Sequence, residues 1–183
     1  MMPQWVNLAN LFTLLRLAMV PFIIRDIIQG LHFRALTLFF IAALTDVIDG
    51  ALARSASGTT QAGAYLDPIA DKCLMSGVFL ALGASEAVPW WFVGVVFGRD
   101  LLILIGVLAV MGLTKVRKFP PSRWGKLSTF VQIVTAICWM TRNAWPVPVL
   151  DAISSVMLWV CAAFTIVSGL DYIWRGVHLI RAH

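Results

Sequence analysis

The sequence predicts an all-α integral membrane protein with six transmembrane helices, and two observations carry that prediction. Hydrophobic residues make up 60% of the 183 residues and charged residues 13%, against about 45–50% and about 25% in soluble proteins. A soluble domain of this size cannot bury so much apolar surface. Six apolar stretches follow one another with short connections, and a helical crossing needs roughly 20 apolar residues. We therefore expect one membrane domain over residues 1–183, surrounded by the lipid bilayer.

The apolar stretches set the bounds of the predicted spans. Pro3 and Trp5 suggest a short interfacial helix before the first span, because proline suits a first helical turn and tryptophan the membrane interface. Residues 55–65, SASGTTQAGAY, are small and polar and predict a loop between the second and third spans. The six spans are predicted at 8–28, 33–54, 67–83, 89–113, 123–140 and 147–180.

The distribution of Lys and Arg predicts the orientation of these spans. One side carries eight basic residues, namely Arg54, Lys115, Arg117, Lys118, Arg123, Lys126, Arg175 and Arg181. The other side carries three, namely Arg25, Arg34 and Arg142. Because cytoplasmic loops are enriched in Lys and Arg, we expect a multi-pass inner-membrane protein with both termini in the cytoplasm. The net charge of +5 suits anionic lipids or substrates, and no soluble basic domain is present to bind nucleic acid.

Four aspartates stand where a membrane helix disfavours charge. Asp46 and Asp49 lie three residues apart at the end of the second span, and Asp67 and Asp71 lie four apart at the start of the third. Each pair shares a helix face, and intramembrane carboxylates usually mark a functional site. Taken singly, each could be a helix-end charge in the headgroup region. Together they would repel one another unless cations lie between them, and hard Mg²⁺ or Mn²⁺ ions suit such oxygen ligands.

Small residues and one arginine surround these aspartates. Gly50 and Ala53 would let a ligand approach the second span closely, and Gly63 lies in the predicted loop before the third span. Arg54 is a fixed cation suited to phosphate oxygens. Ordinary helix packing and a positive-inside anchor explain the same residues separately.

The segment from Asp46 to Asp71 follows the pattern D-x2-D-G-x2-A-R-x8-G-x3-D-x3-D without a departure. This is the signature of the CDP-alcohol phosphatidyltransferase family, which the chain resembles, and the six-helix plan extends the resemblance to nearly the whole chain. The resemblance implies a membrane enzyme that transfers a phosphatidyl group from CDP-diacylglycerol to an alcohol and releases CMP. It also implies a homodimer, which is usual in the family.

The resemblance further implies a role for each residue of the motif. Two divalent cations would be held by the four aspartates, Asp46, Asp49, Asp67 and Asp71. Asp71 would also be the general base that takes the proton of the acceptor hydroxyl. Gly50 and Ala53 would line the cytidine pocket, Gly63 would lie near the loop that covers it, and Arg54 would meet the nucleotide phosphates.

Two segments resemble the glycerol-type branch of the family, which comprises phosphatidylglycerophosphate synthases and related cardiolipin synthases. The third span opens with LDPIADK, residues 66–72. In the first span Asn10, Thr13 and Arg16 match the pattern N-x2-T-x2-R of that branch, although Ala9 stands where the family usually has proline. The resemblance implies that these three side chains help to bind the acceptor.

Spans four and five supply further candidate acceptor ligands. Arg99 and Asp100 form either a local pair closed off from lipid or a grip on an anionic acceptor, and phosphatidylglycerophosphate synthases typically carry Arg-Glu there. The segment KVRKFPPSRWGK is either an ordinary basic loop or, through Arg123 and Lys126, part of the acceptor site. Lys126, Thr129 and Gln132 also resemble the G-K-x2-T-x2-Q pattern of the branch. They recur every three residues, so neighbours in this series are predicted to lie close together on a helix, where they could hydrogen-bond a phosphate and hydroxyls inside the bundle.

The reaction expected from these residues is transfer of the phosphatidyl group to sn-glycerol 3-phosphate, which forms phosphatidylglycerophosphate. The acceptor hydroxyl would attack the β-phosphorus in line, beside two metals. A cardiolipin synthase that uses phosphatidylglycerol as its acceptor is the alternative within the branch. A divalent-cation transporter is an alternative of another class, since paired intramembrane aspartates also mark ion paths; against it, the aspartates gather at one membrane face.

Overall fold

A computed structural model of the protein describes residues 8–55, 61–113 and 122–181. Side chains are described for residues 11–45, 69–106 and 122–178. The described part of the chain contains helices only, so the predicted all-α class is confirmed. Its six helices are α1 (Leu8–Ile28), α2 (His32–Ser55), α3 (Gln61–Ala84), α4 (Trp90–Leu113), α5 (Arg123–Ala144) and α6 (Pro148–Arg181).

Five of the six helices begin within a residue of their predicted starts, and the exception is α3. It begins at Gln61, six residues before the predicted start, so half of the predicted loop is helical. Gly63 lies in the first turn of α3, and its predicted place in a loop is wrong. Glutamine and alanine at this end are good helix formers and offset the cost of about 1 kcal/mol for one glycine. The sequence predicted that this helix starts at residue 67, because proline at position 68 favours a first turn. In the structure Pro68 lies inside α3.

Two predicted features fall outside the described residues. The interfacial helix that Pro3 and Trp5 suggest lies within residues 1–7, and most of the basic segment KVRKFPPSRWGK lies within residues 114–121. Both stay predictions.

The described residues form two compact units. The first unit runs to Ala87 and also contains Asn143–Trp145, while the second contains Val88–Arg142 and the residues from Pro146 onward. In the first unit α1 packs against both α2 and α3, and in the second α4 packs against α6.

In the first unit, a glycine lets α1 and α3 approach closely. A Cβ atom on Gly77 would lie 2.8 Å from Ile24 Cδ1 and 3.2 Å from Val20 Cγ1, closer than side chains normally pack. Small residues at such crossings are the usual means by which membrane helices pack tightly. The crossing at Gly77 therefore sets the distance between α1 and α3.

A glycine also closes the hairpin between α1 and α2. Gly30 has a φ of +74°, a conformation that glycine adopts without steric cost. The Leu31 amide donates to the Asp26 carbonyl at 2.8 Å and the Gly30 amide to the Ile27 carbonyl at 3.2 Å, which is the Schellman ending of a helix. The Asp26 side chain is fully buried and pairs with Arg34 at 2.8 Å, which ties α1 to the first turn of α2.

Polar side chains join α5 to α6 in the second unit. Thr165 on α6 accepts a hydrogen bond from Gln132 at 3.4 Å and lies 3.5 Å from the Ser128 hydroxyl. Further along, Ser154 donates to the Cys138 carbonyl at 3.2 Å. Side-chain hydrogen bonds of this kind hold helices together where no water is available.

One helix of the described residues, Pro148–His178, is long and apolar enough to cross a membrane by length and composition. A second apolar stretch, His32–Thr45, is shorter. The apolar sequence of α1 is interrupted by three charged residues, Arg16, Arg25 and Asp26. The count of six spans is therefore not confirmed and stays a prediction.

Candidate active site

The four motif aspartates lie on two consecutive helices. Asp46 and Asp49 lie in the last three turns of α2, and Asp67 and Asp71 in the second and third turns of α3. Because the spacings of three and four residues fall in helices, each pair shares a helix face as predicted. The side chains of the first three aspartates lie outside the described residues.

The residues predicted to bind the nucleotide belong to the same two helices. Gly50, Ala53 and Arg54 follow Asp49 in the last turns of α2, and Gly63 lies in α3. Their side-chain surroundings, and those of Asn10 at the start of α1, also lie outside the described residues. Their predicted roles stay predictions.

Asp71 is the motif aspartate whose side chain is described, and it pairs with an arginine of α1. Arg16 Nη1 donates to Asp71 Oδ1 at 2.5 Å. The Arg16 side chain is fully buried, whereas 52% of the Asp71 side chain is exposed. Hydrogen bonds between a guanidinium and a carboxylate are short and strong because both partners are charged. The structure thus brings together two predicted site residues from different helices.

The position of Arg16 follows from the buried stripe of α1. Thr13, Arg16, Val20, Ile23 and Ile27 are all buried, and they recur every three or four residues. That spacing places them on one side of a helix. Arg16 therefore occupies a core position, and Thr13 lies one turn before it on the same side.

Arg99 is the centre of a second cluster, in the second unit. Its Nη1 donates to Asp100 at 2.8 Å, its Nη2 to the Ser168 hydroxyl at 3.0 Å, and its Nε to the same hydroxyl at 3.3 Å. Nη2 also lies 3.5 Å from the Gly125 carbonyl, and the guanidinium lies over the Tyr172 ring at 5.9 Å. This buried arginine therefore links α4 to α5 and α6.

The start of α5 is closely packed. Ser122 caps the helix, since its hydroxyl accepts from the Gly125 amide at 2.9 Å. A Cβ atom on Gly125 would lie 3.0 Å from Tyr172 Cε2, so glycine is needed for this contact between α5 and α6. Arg123 and Lys126 are exposed in the first turn of the helix.

The predicted series on α5 divides between two surfaces. Gln132 is buried and bonds to Thr165, whereas Lys126 and Thr129 are exposed. The Thr129 hydroxyl donates to the Gly125 carbonyl at 3.1 Å. A spacing of three residues drifts around a helix of 3.6 residues per turn, which explains why Gln132 is buried while Lys126 and Thr129 are exposed. The predicted roles of Lys126 and Thr129 in acceptor binding stay predictions.

Two further residues of the Arg99 cluster, both on α6, were not predicted from the sequence. Ser168 and Tyr172 both contact Arg99, and they lie four residues apart in a long apolar helix. That spacing puts two polar side chains on one helix face. The polar spacing was a visible signal, but nothing in it identifies Arg99 as the partner.

Comparison with known proteins decides the family. Residues 6–167 match the family model described as CDP-alcohol phosphatidyltransferase. The chain belongs to the CDP-alcohol phosphatidyltransferase family. The resemblance carried by the Asp46–Asp71 motif is thereby confirmed, and membership of a transferase family replaces the transporter alternative.

Several similar proteins are matched by this phosphatidyltransferase over most of their length. A "Probable phosphatidylglycerophosphate synthase" of Mycobacterium tuberculosis (strain H37Rv) is 35% identical over 178 residues, which cover 93% of this chain and 82% of that protein. A "CDP-diacylglycerol--glycerol-3-phosphate 3-phosphatidyltransferase" of Bacillus subtilis (strain 168) is 30% identical over 190 residues, covering 96% and 97%. A protein of the same name from Aquifex aeolicus is 29% identical over 182 residues, covering 96% and 98%.

This family is membrane-embedded and in general depends on divalent metals. Among the described side chains no three acidic, histidine or cysteine residues come together, but three of the four predicted ligands lie outside that set. The donor chemistry fits a divalent cation, because four carboxylates offer only hard oxygen ligands. Asp71 keeps half of its side chain exposed while paired with Arg16.

Proposed function

We propose that this protein transfers the phosphatidyl group of CDP-diacylglycerol to sn-glycerol 3-phosphate, forming phosphatidylglycerophosphate and CMP. The proposal rests on the family match and on similar proteins that bear the name of this reaction and are matched over most of their length. The chain belongs to the family over residues 6–167, and the Bacillus subtilis relative that bears the name of this reaction is matched over 97% of its length. The matched region includes most of both units, which supports their acting as one domain.

In the proposed reaction the acceptor hydroxyl attacks the β-phosphorus of CDP-diacylglycerol. The new phosphorus–oxygen bond forms as the bond to the CMP phosphate breaks, and Asp71 takes the hydroxyl proton. Two divalent cations, Mg²⁺ or Mn²⁺, held by Asp46, Asp49, Asp67 and Asp71, would neutralise the pyrophosphate and polarise the phosphorus. The half-exposed carboxylate of Asp71 supports this role, because a base must be within hydrogen-bond reach of its substrate.

Binding of the nucleotide is proposed for the residues that surround the aspartates. Gly50 and Ala53 would let the cytidine approach α2, Gly63 would do the same at the start of α3, and Arg54 would pair with the phosphates. Their places beside the aspartates along α2 and α3 support the assignment.

The acceptor phosphate is proposed to meet the start of α5. Arg123 and Lys126 are exposed cations in its first turn, and an arginine or lysine binds a phosphate through charge-assisted hydrogen bonds. The sequence also predicts acceptor roles for Asn10, Thr13, Arg16, Arg99 and Thr129, but Thr13 and Arg16 are buried. Within that set Arg99 already donates to Asp100, Ser168 and Gly125, so any contact with the acceptor would come from its remaining N–H capacity.

A cardiolipin synthase remains the second candidate because of one residue. Asp100 stands where phosphatidylglycerophosphate synthases typically carry glutamate, and it pairs with Arg99 at 2.8 Å. Phosphatidylglycerol would then replace glycerol 3-phosphate as the acceptor, with the same aspartate chemistry.

We further propose a homodimer in the inner membrane, with six spans and with both termini and the site in the cytoplasm. The excess of Lys and Arg on one side of the predicted spans supports the orientation. Large apolar side chains such as Leu14, Leu101 and Trp159 are exposed on three different helices. Such exposure suits helices that face lipid.

CMP release by the purified protein tests the proposed reaction. The protein is given CDP-diacylglycerol with Mg²⁺ and one acceptor at a time, namely glycerol 3-phosphate, phosphatidylglycerol, serine or inositol phosphate. We expect release with glycerol 3-phosphate alone, and loss of that release in Asp67→Asn. Release with phosphatidylglycerol instead would identify a cardiolipin synthase.

A further inference from the structure

The ion pair between Arg16 and Asp71 joins two side chains in opposite environments. Arg16 is fully buried on the core side of α1, and Asp71 is half exposed on α3. A buried charge is costly, and breaking a buried pair leaves a charge that the interior cannot solvate. The buried arginine is therefore the fixed partner, and the aspartate is the one that is held.

The burial of the Arg16 side chain limits what it can contact. With no exposed surface on its side chain, Arg16 offers no atom to a phosphate that arrives from solvent. Thr13, one turn earlier, is buried as well, at 2% exposure. Direct contact with the acceptor, which the motif N-x2-T-x2-R implies, does not fit this placement of Arg16.

The packing of α1 against α3 fixes the distance between the backbones that carry Arg16 and Asp71. Gly77 lies less than two turns beyond Asp71 on α3, and its contact with Val20 and Ile24 brings the two helices together. Leu74 and Val78, also on α3, are buried at 5% and 1%. The backbone that carries Asp71 is thus held on the α1 side by a tight crossing, and Arg16 restrains its side chain.

We propose that Arg16 is a positioning residue that holds the Asp71 carboxylate in one orientation and acts on the metal site through Asp71. The Nη1 donor occupies Oδ1 at 2.5 Å and thereby limits rotation of a side chain that is otherwise half exposed. A reacting or ligating group that is misplaced by 1 Å can lose about 10²-fold in rate. The proposal rests on the proposed function in assigning Asp71 to the metal site.

Binding of Mn²⁺ to the full-length protein in detergent, without either substrate, tests the proposal. Arg16→Gln is expected to weaken Mn²⁺ binding about tenfold, since a hydrogen bond between charged groups is worth about a factor of ten or more. Arg16→Lys, which keeps the charge, is expected to restore part of the affinity. Arg25→Gln is the matched control, because Arg25 is an exposed arginine of the same helix, and it should bind Mn²⁺ as the wild type does.

A double-mutant cycle shows whether Arg16 acts through Asp71. If it does, Arg16→Gln should weaken Mn²⁺ binding no further once Asp71→Asn is present. Equal losses in both backgrounds would overturn the proposal, as would an unchanged affinity in Arg16→Gln. Thermal unfolding accompanies each measurement, and if Arg16→Gln fails to fold, the cycle is run with Arg16→Lys.

Kinetics separate positioning from acceptor binding. If Arg16 positions Asp71, kcat of Arg16→Gln should fall about tenfold or more, while the KM for the acceptor should stay within about twofold. A KM that rises tenfold with kcat unchanged would make Arg16 an acceptor ligand and overturn the proposal. Because the Mn²⁺ cycle needs no acceptor, it still decides the role of Arg16 if glycerol 3-phosphate proves not to be the substrate.

Discussion

Each of the two units contains an arginine–aspartate pair, and the pairs differ in which partner is exposed. In the first unit Arg16 and Asp71 lie 55 residues apart on two helices, and the aspartate is 52% exposed. In the second unit Arg99 and Asp100 are neighbours in the chain, with side chains 7% and 17% exposed. Both pairs use the same chemistry in different surroundings.

The difference in surroundings separates a reactive group from a structural one. Arg16 holds the half-exposed carboxylate of Asp71. Arg99 instead donates to Asp100, Ser168 and Gly125 and so joins three helices. A carboxylate that reaches solvent can meet a metal or a proton donor, while a closed network mainly stabilises the fold. We therefore expect substitutions in the first pair to affect turnover and those in the second to affect stability.

The largest expected effect is that of Asp71→Asn on turnover. CMP release should fall by about 10²–10⁴-fold, the usual contribution of a general base, while binding of CDP-diacylglycerol survives in part. Asp100→Asn is the matched control in the second pair and should retain most activity. Steady-state release of CMP and equilibrium binding of CDP-diacylglycerol check the two variants. Equal loss of activity in both would remove the distinction between the pairs.

Arg99→Met is expected to act on stability. Removing one partner of a buried pair costs about 3 kcal/mol, and Ser168 loses its charged neighbour as well. Thermal unfolding in detergent, followed by circular dichroism, should show a clearly lower Tm than for Arg25→Gln. If the folded fraction of Arg99→Met also has a raised KM for glycerol 3-phosphate, the acceptor role that the sequence predicts for Arg99 is supported.

Lys126→Ala is expected to act on acceptor affinity. Loss of one charged hydrogen bond to the acceptor phosphate should raise the KM for glycerol 3-phosphate about tenfold, because such a bond is worth about 1.5–3 kcal/mol. The KM for CDP-diacylglycerol should hardly change. Leu127→Ala, an exposed neighbour, serves as the control. A larger effect on the nucleotide substrate would contradict the proposed division between α5 and the aspartates.

The smallest expected effect is that of Gly125→Ala, which sharpens the structural side of the comparison. The new methyl group would lie 3.0 Å from Tyr172 Cε2, and over-packing of this kind costs about 1 kcal/mol or more. Gly98→Ala is the control, since a Cβ atom there meets nothing within 4 Å and alanine favours a helix. Thermal unfolding should show a lower Tm for Gly125→Ala but not for Gly98→Ala. Equal Tm values would show that the contact between residue 125 and Tyr172 can relax.

The helices and the family could be predicted because their signals are local. A run of apolar residues of bilayer length requires a helix wherever backbone groups cannot reach water, and α1 has the predicted bounds, Leu8–Ile28. The motif from Asp46 to Asp71 identifies the family because spacing along the chain is itself the signature. The start of α3 was missed because its glycine and polar residues suit a loop and a first helical turn equally well.

Tertiary structure alone decided the partner of Arg16 and, beyond the adjacent Asp100, the partners of Arg99. Arg16 stands between two leucines and Arg99 beside Asp100, and the sequence predicts an acceptor role for both arginines. Their surroundings depend on which helix packs beside them: α1 lies against α3, which carries Asp71, and α4 lies against α6, which carries Ser168 and Tyr172. A helix places a side chain on a face through its own periodicity, but only packing determines what that face meets.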